Sequence, residues 1–473
     1  MKSRPNVLFI LADDQRFDTI HALGNSVIQT PNLDALAAQG TAFTEAHIPG
    51  GTSGAVCMPS RAMLNTGRSL FHIFREGQEI DPAHVTMGQC FRDGGYRTVG
   101  IGKWHNGTES YARSFCDGDN IFFGGMWDHW NVPVSSYHPD GKYENKVKST
   151  PNFFYANHPM ELVAEKIAAG KHSTELITDT ALDFLRQKQE QPFFMYVSLL
   201  APHDPRTMPE KYQNMYRPED IQLPLNFQPD HPFFFGIGDE SRDEALAAHP
   251  RGEAEVKQHI CDYYAMISHI DDRVGDLIHC LEETGQLENT IIVYTGDNGL
   301  ALGHHGLMGK QNCYDHSIHV PLIMAGPGIS PNARSKEYVY LFDIYPTLCE
   351  LCGLEIPCSV EGKSFLPILR DASEKSHRQD LYFAFTDLIR AVQDRRYKLI
   401  EYKCPRECSQ LFDLQNDPLE RKNLYEDPQY RAVKDALRKR MLEYQDQWED
   451  DRENRFTKSY WENVFLKRTD GEK

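Results

Sequence analysis

The chain has 473 residues, 40% of them hydrophobic, which is long enough for two domains or for one large α/β domain with an appendage. A formal charge of −18 and a pI near 5.6 exclude nucleic acid and anionic membranes as default partners, because both are polyanions. No apolar run reaches the roughly 18 residues needed to span a bilayer, and an anionic small substrate requires basic side chains gathered locally.

The chain opens on MKSRPNVLFILADDQ, in which an apolar run ends at Asp13 and Asp14 with no small-residue cleavage site after it. It reads as a first β-strand. The expected location is cytoplasmic, or periplasmic or secreted if an export signal preceded this sequence. PNLDALAAQG, after Thr30, reads as a helix. In CMPSR, residues 57–61, Pro59 suits the first turn of a helix and places Cys57 at its N-terminal end, where free amides and the dipole favour a negative group. Arg61 follows, with a guanidinium that forks onto oxyanions.

Further on, YRTVGIG runs into Lys103 and His105, and PFFMYVSLLAP into His203. TIIVYTG runs into Asp297 and Asn298, and Lys310 closes HHGLMGK. Between these strands lie helical segments: STELITDTALDFLRQ, and a long one from about Val256 to Thr284. Strands alternating with helices indicate an α/β fold with a large, mostly parallel sheet flanked by helices. In such sheets ligands bind beyond the carboxyl ends of the strands, so these polar residues are expected along one edge. After about residue 370 the texture changes to short strands (LYFAFTD, IRAVQD, RYKLIEYK) and a charged helix from about Gln429 to Trp448. The expected division is a catalytic α/β domain over 1–370 and a smaller antiparallel sheet with a helix and charged tail over 371–473.

The eleven cysteines do not form the framework of a small disulfide-rich domain. Cys349 and Cys352 in LCELC read as buried apolar residues on a helix face, and Cys404 and Cys408 have the spacing of a hairpin bridge. Asp13, Asp14, Asp297 and Asn298 offer only oxygen, which selects calcium or magnesium over zinc. Lys103, His105, His203 and Lys310 beside such a cation suit a site that binds an anion and moves protons. A Cys57 thiolate would match a hard cation poorly, and a residue carrying oxygen would serve better there. His304, His305, His316 and His319 are open between site and structural roles. The aromatic run GGMWDHW offers Trp127 and Trp130 either as a sugar-stacking wall or as ordinary packing.

CMPSRAMLNTGR resembles the sulfatase signature, and PNVLFILADDQ, GIGKWH, VYTGDNG, HGLMGK, VPLIMAGPG and LFDLQNDPLERKNL extend the resemblance over nearly the whole chain. It implies an alkaline phosphatase-like fold and hydrolysis of a sulfate ester, with a sulfated carbohydrate as the expected substrate. It also implies that a formylglycine-generating enzyme converts Cys57 to formylglycine. The hydrated aldehyde would be held on one calcium ion by Asp13, Asp14, Asp297 and Asn298. Asp297 would be the base for attack on sulfur, His203 and Lys310 would assist the leaving oxygen, and His105 would help expel sulfate. Arg61 and Lys103 would hold charge on the sulfate or orient the diol. The alternatives are a phosphate or phosphonate ester hydrolase on the same fold and a non-catalytic glycan-binding protein.

Overall fold

The computed structural model describes residues 4–150, 158–233, 241–403 and 408–450. Its centre is an eight-stranded sheet whose strands, in chain order, are β1 (Asn6–Ala12), β2 (Gly40–Phe43), β3 (Arg97–Lys103), β4 (Asp117–Phe122), β5 (Phe193–Ser198), β6 (Thr290–Gly296), β7 (Leu322–Ala325) and β8 (Ala333–Ser335). Their order across the sheet is β8-β2-β7-β6-β1-β5-β3-β4, and only β7 runs against the others. NVLFILA forms the central strand because it is apolar on both faces, as a strand covered on both sides must be. Val7, Phe9 and Leu11 enter one core, while Leu8, Ile10 and Ala12 enter the other.

The second core is roofed by α1 (Pro31–Gln39), the helix Ser173–Leu185 and the long helix Glu253–Glu283. The first core lies under the helix Cys57–Thr66, the helix Ile344–Cys352 and a smaller antiparallel sheet. That sheet is a meander of β9 (Leu381–Phe385), β10 (Ile389–Gln393), β11 (Tyr397–Tyr402) and β12 (Cys408–Asp413), covered by the helix Arg431–Gln447. A two-residue strand, Gly50–Gly51, joins its edge in parallel with β9. Gly50 makes this possible: its φ is +101°, and a Cβ there would meet the Ala384 carbonyl oxygen at 2.1 Å. The small sheet therefore includes a segment that directly precedes the Cys57 helix.

Cys349 and Cys352 are buried in the first core, as their apolar reading requires, with the Cys349 sulfur 3.7 Å from that of Cys90. Cys404 and the charged tail after residue 450 lie outside the described residues. No described helix is long and apolar enough to cross a membrane.

Candidate active site

Register builds the site. Leu11 is opposite Ser198, Ala12 opposite Gly296 and Ser198 opposite Gly102, so the four strands β1, β3, β5 and β6 end level and the residues after them form one row. The Asp13 amide donates to the Ala201 carbonyl at 3.1 Å and the Asp297 amide to the Ala12 carbonyl at 3.1 Å, which extends the ladder into the site. At this edge Asp14 and His105 adopt left-handed backbone, with φ of 64° and 69°, a conformation rare for residues with side chains and common at functional sites.

Arg61, one turn into the Cys57 helix, is fully buried and organises the floor. Its Nε donates to Asp297 Oδ2 at 2.7 Å, and its Nη1 donates to Ser198 Oγ at 2.5 Å and to the Lys103 carbonyl at 2.9 Å. Lys103 Nζ donates to Asp13 Oδ2 at 2.5 Å, and Lys310 Nζ donates to Asp14 Oδ1 at 2.5 Å. Asn298 Nδ2 also donates to Asp14 Oδ1, at 2.8 Å, and the Asp14 amide donates to Asp297 Oδ1 at 3.0 Å. Cys57 Sγ stands 3.6 Å from Lys103 Nζ and 3.6 Å from His105 Nδ1. His203 Nε2 is 3.6 Å from Asp14 Oδ2.

The electrostatics follow from burying these charges together. Burial, reinforced by Asp297 and opposed by Lys103, pushes the Asp13 carboxyl up to about 8. Burial acts the same way on Asp14, but the Lys310 ammonium and His203 outweigh it and hold that carboxyl below its ordinary value. Burial and the cations Lys103 and Arg61 keep His105 neutral, and burial and Lys310 do the same for His203 against the pull of Asp14. Lys310 is held protonated by Asp14 in spite of its burial. Burial raises the Cys57 thiol above its ordinary value although Lys103 and Lys310 pull it down, so the residue is not poised as a thiolate nucleophile.

The donor set fits a hard dication. Asp13 Oδ1 and Asn298 Oδ1 are buried without a hydrogen-bond partner, and ligand atoms of Asp13, Cys57 and Asp297 lie within 4.8 Å of one another. Crowded, buried carboxylate oxygens are the arrangement that an oxygen-seeking cation relieves.

Above this floor opens a cavity of about 460 Å³ onto which Cys57, His105, His203 and Lys310 face. Its walls carry Met126 and also Glu76, Ser241, Arg242, Asp243 and Gln311, which stand in no recognisable sequence motif. Gln311 Nε2 donates to Asp243 Oδ2 at 2.6 Å. Glu244 accepts from the amides of Met308 and Gly309 at 2.9 and 2.8 Å, which fixes the loop that presents Lys310. Asn106, directly after GKWH, donates to the carbonyls of Met58 and Gly77 at 3.0 and 2.6 Å and so braces the start of the Cys57 helix.

The aromatic wall is not built as one of its readings had it. Trp127 is buried in the second core, Trp130 packs edge-on against His172, and the cavity receives Gly125 and Met126 from that segment instead. The four open histidines also lie away from the cavity. His305 stacks on Tyr314 with centroids 3.9 Å apart, His304 and His316 pack beside it, and His319 stacks on Phe17.

The sulfatase family model matches residues 5–354, the span that carries these acids, the cysteine and the cations. The chain belongs to the sulfatase family. It is thus a sulfuric ester hydrolase on an alkaline phosphatase-like fold. A second family model, N-sulphoglucosamine sulphohydrolase, C-terminal, matches residues 303–447 and so takes in the small sheet. An arylsulfatase of Clostridium perfringens is 28% identical over 93% of this chain and 94% of its own length. An N-acetylglucosamine-6-O-sulfatase of Bacteroides thetaiotaomicron is 25% identical over 94% of this chain and 87% of its own. Among solved structures, one in complex with its substrate D-glucosamine-2-N,6-O-disulfate superposes with a TM-score of 0.78 at 23% identity, over 96% of this chain and 100% of the other. The phosphonate monoester hydrolase of Agrobacterium radiobacter superposes with a TM-score of 0.73 at 23% identity, over 94% and 96%. Both structures share the fold of this sulfatase.

Proposed function

We propose that this sulfatase removes sulfate from a sulfated sugar, with Cys57 converted to formylglycine and calcium held by Asp13, Asp14, Asp297 and Asn298. The observation that carries the reading is the place of Cys57. It begins a helix on the cavity floor, with Lys103 and His105 each 3.6 Å from its sulfur and a carboxylate oxygen of Asp13 and of Asp297 within 4.8 Å of it. Calcium would supply charge that neutralises the sulfate and makes an oxygen at position 57 more acidic. Formylglycine would supply that oxygen, as a hydrated aldehyde able to attack sulfur.

The other residues have roles that follow from their bonds. Arg61 fixes the Asp297 carboxylate through Nε, so that Asp297 points at position 57. Lys103, anchored on Asp13, adds positive charge where the sulfate oxygens gather, the kind of preorganised field that lowers such barriers most. His105 is neutral, and its Nδ1 faces position 57, where it can take a proton. Lys310 is protonated and open to the cavity, placed to stabilise or protonate the departing sugar oxygen, with the neutral His203 beside it. The sugar class rests on the names of the relatives, among them the glucosamine sulfatase of Bacteroides thetaiotaomicron.

Sulfate release from a panel of sulfated saccharides and an aryl sulfate, with protein co-produced with a formylglycine-generating enzyme, tests the proposal. Matched phosphate and phosphonate esters belong in the panel, because a multifunctional alkaline phosphatase superfamily protein of Trinickia caryophylli is 27% identical over 91% of this chain. The expected result is sulfate release from at least one saccharide that disappears in Cys57→Ala. Release confined to phosphorus esters would overturn the reading.

A further inference from the structure

We propose that Glu45, His47 and His319 form a second metal site, separate from the catalytic cluster, which takes a divalent transition ion of the zinc class. None of the three lines the cavity or hydrogen-bonds to Asp13, Asp14, Asp297 or Asn298. They meet because the short strand Ala46–His47 runs alongside the segment that ends at His319. The Val320 amide donates to the Ala46 carbonyl at 3.0 Å, and the Ile48 amide to the Ile318 carbonyl at 2.9 Å. Ligand atoms of the three side chains lie within 4.8 Å of one another.

The second, independent observation is the state of the two imidazoles. His47 is 0% and His319 4% exposed, yet none of their four ring nitrogens makes a hydrogen bond. A buried polar group without a partner is costly, and two adjacent histidines that both lack one ask for a shared ligand. Their rings lie 4.5 Å apart and nearly parallel, and Phe17 covers the far face of His319 with centroids 3.8 Å apart. The backbone carbonyls of Glu45 and Thr44 lie beside His47 and His319 respectively, short of hydrogen-bond geometry. Metal-bound histidines commonly direct the nitrogen that is not a ligand at such a carbonyl.

Both rings are buried, and histidine binds metal as the neutral imidazole. The one buried lysine here, Lys398, is compensated by Asp315 Oδ1 at 2.8 Å and Glu420 Oε1 at 2.7 Å. Two histidines and a carboxylate are a zinc ligand set with a fourth position left for water or another donor. Tetrahedral coordination at about 2.0–2.2 Å brings ligand atoms to roughly 3.4 Å from one another. Small shifts of the three side chains would close that gap. A metal here would clamp the chain that leads into the Cys57 helix to the chain that follows the Lys310 loop.

Cobalt(II) is the probe, since its visible d–d absorption reports tetrahedral nitrogen and oxygen ligation directly. The full-length chain is stripped with a chelator, saturated with calcium and titrated with cobalt, while bound metal is counted by elemental analysis. The expected result is one equivalent of cobalt with a tetrahedral spectrum, weakened about tenfold or more in Glu45→Gln and His319→Gln and unchanged in Asp13→Asn. Glu45 is partly exposed, so Glu45→Gln decides the matter if His319→Gln fails to fold. No cobalt bound by the parent chain, a band that survives Glu45→Gln, or a band lost in Asp13→Asn would each overturn the proposal. The last result would assign the metal to the catalytic cluster. The readout does not depend on turnover, so it stands apart from the test of the sugar sulfatase reading.

Discussion

Lys310 and Lys103 are both buried lysines bonded to a strand-end aspartate at 2.5 Å, yet the geometry assigns them different work. Lys103 lies under position 57, fully enclosed, whereas Lys310 opens onto the cavity where a leaving group would depart. Removing Lys310 therefore penalises poor leaving groups most. Lys310→Ala is expected to lower kcat on a sugar sulfate by about 10²–10⁴-fold and on an aryl sulfate, whose phenol leaves as its anion, by much less. Equal losses on both substrates, measured as sulfate release, would show that Lys310 serves binding or folding and not the leaving oxygen. These lysines were legible in the sequence because each ends a conspicuous strand or loop motif. Arg242, Asp243 and Gln311 were not: they reach the cavity through long-range packing, and nothing local in SRDEALAAHP or in the residue after Lys310 marks them.

Among the elements, the long helix Glu253–Glu283 positions α1 by capping it. Asp271 accepts from the Leu33 amide at 2.7 Å and from the Asn32 amide at 3.1 Å, which occupies two of the free donors at the start of α1. Burial pushes the Asp271 carboxyl up to about 6, with those two amides pulling the other way. Since the folded value lies above the unfolded value of about 3.9, folding favours the protonated form. The contribution of Asp271 to stability is complete below that unfolded value and is lost as pH rises through about 6. Asp271→Asn, which cannot ionise, should remove this slope. Plotted against pH, the Tm difference between the parent chain and the variant is expected to change between about pH 4 and 6 and to be level above it. A difference that stays constant across that window would contradict the account. The helices themselves were readable from apolar periodicity, Pro31 at the start of α1 included, whereas a cap supplied from far along the chain is a tertiary fact.

For the whole molecule, the alternation of strands and helices and the change of texture near residue 370 made both sheets visible in advance. The way the sheets are joined was hidden. Gly50–Gly51 is too short to register as a strand, yet it pairs with β9, and a single core holds residues from Val7 to Trp448. The site was legible wherever chemistry needs a fixed residue at a strand end, and illegible wherever it needs only shape. GGMWDHW illustrates the second case, since aromatic content alone does not tell a wall from a core. The central claim remains that Cys57, once carrying oxygen, is the group around which Asp13, Asp297, Lys103 and His105 are arranged. The most direct test is the rate of sulfate release plotted against the fraction of Cys57 converted to formylglycine, measured by mass on the same preparations. The account predicts a straight line through the origin, with Cys57→Ala at zero. Full activity in unconverted protein or in Cys57→Ala would contradict it.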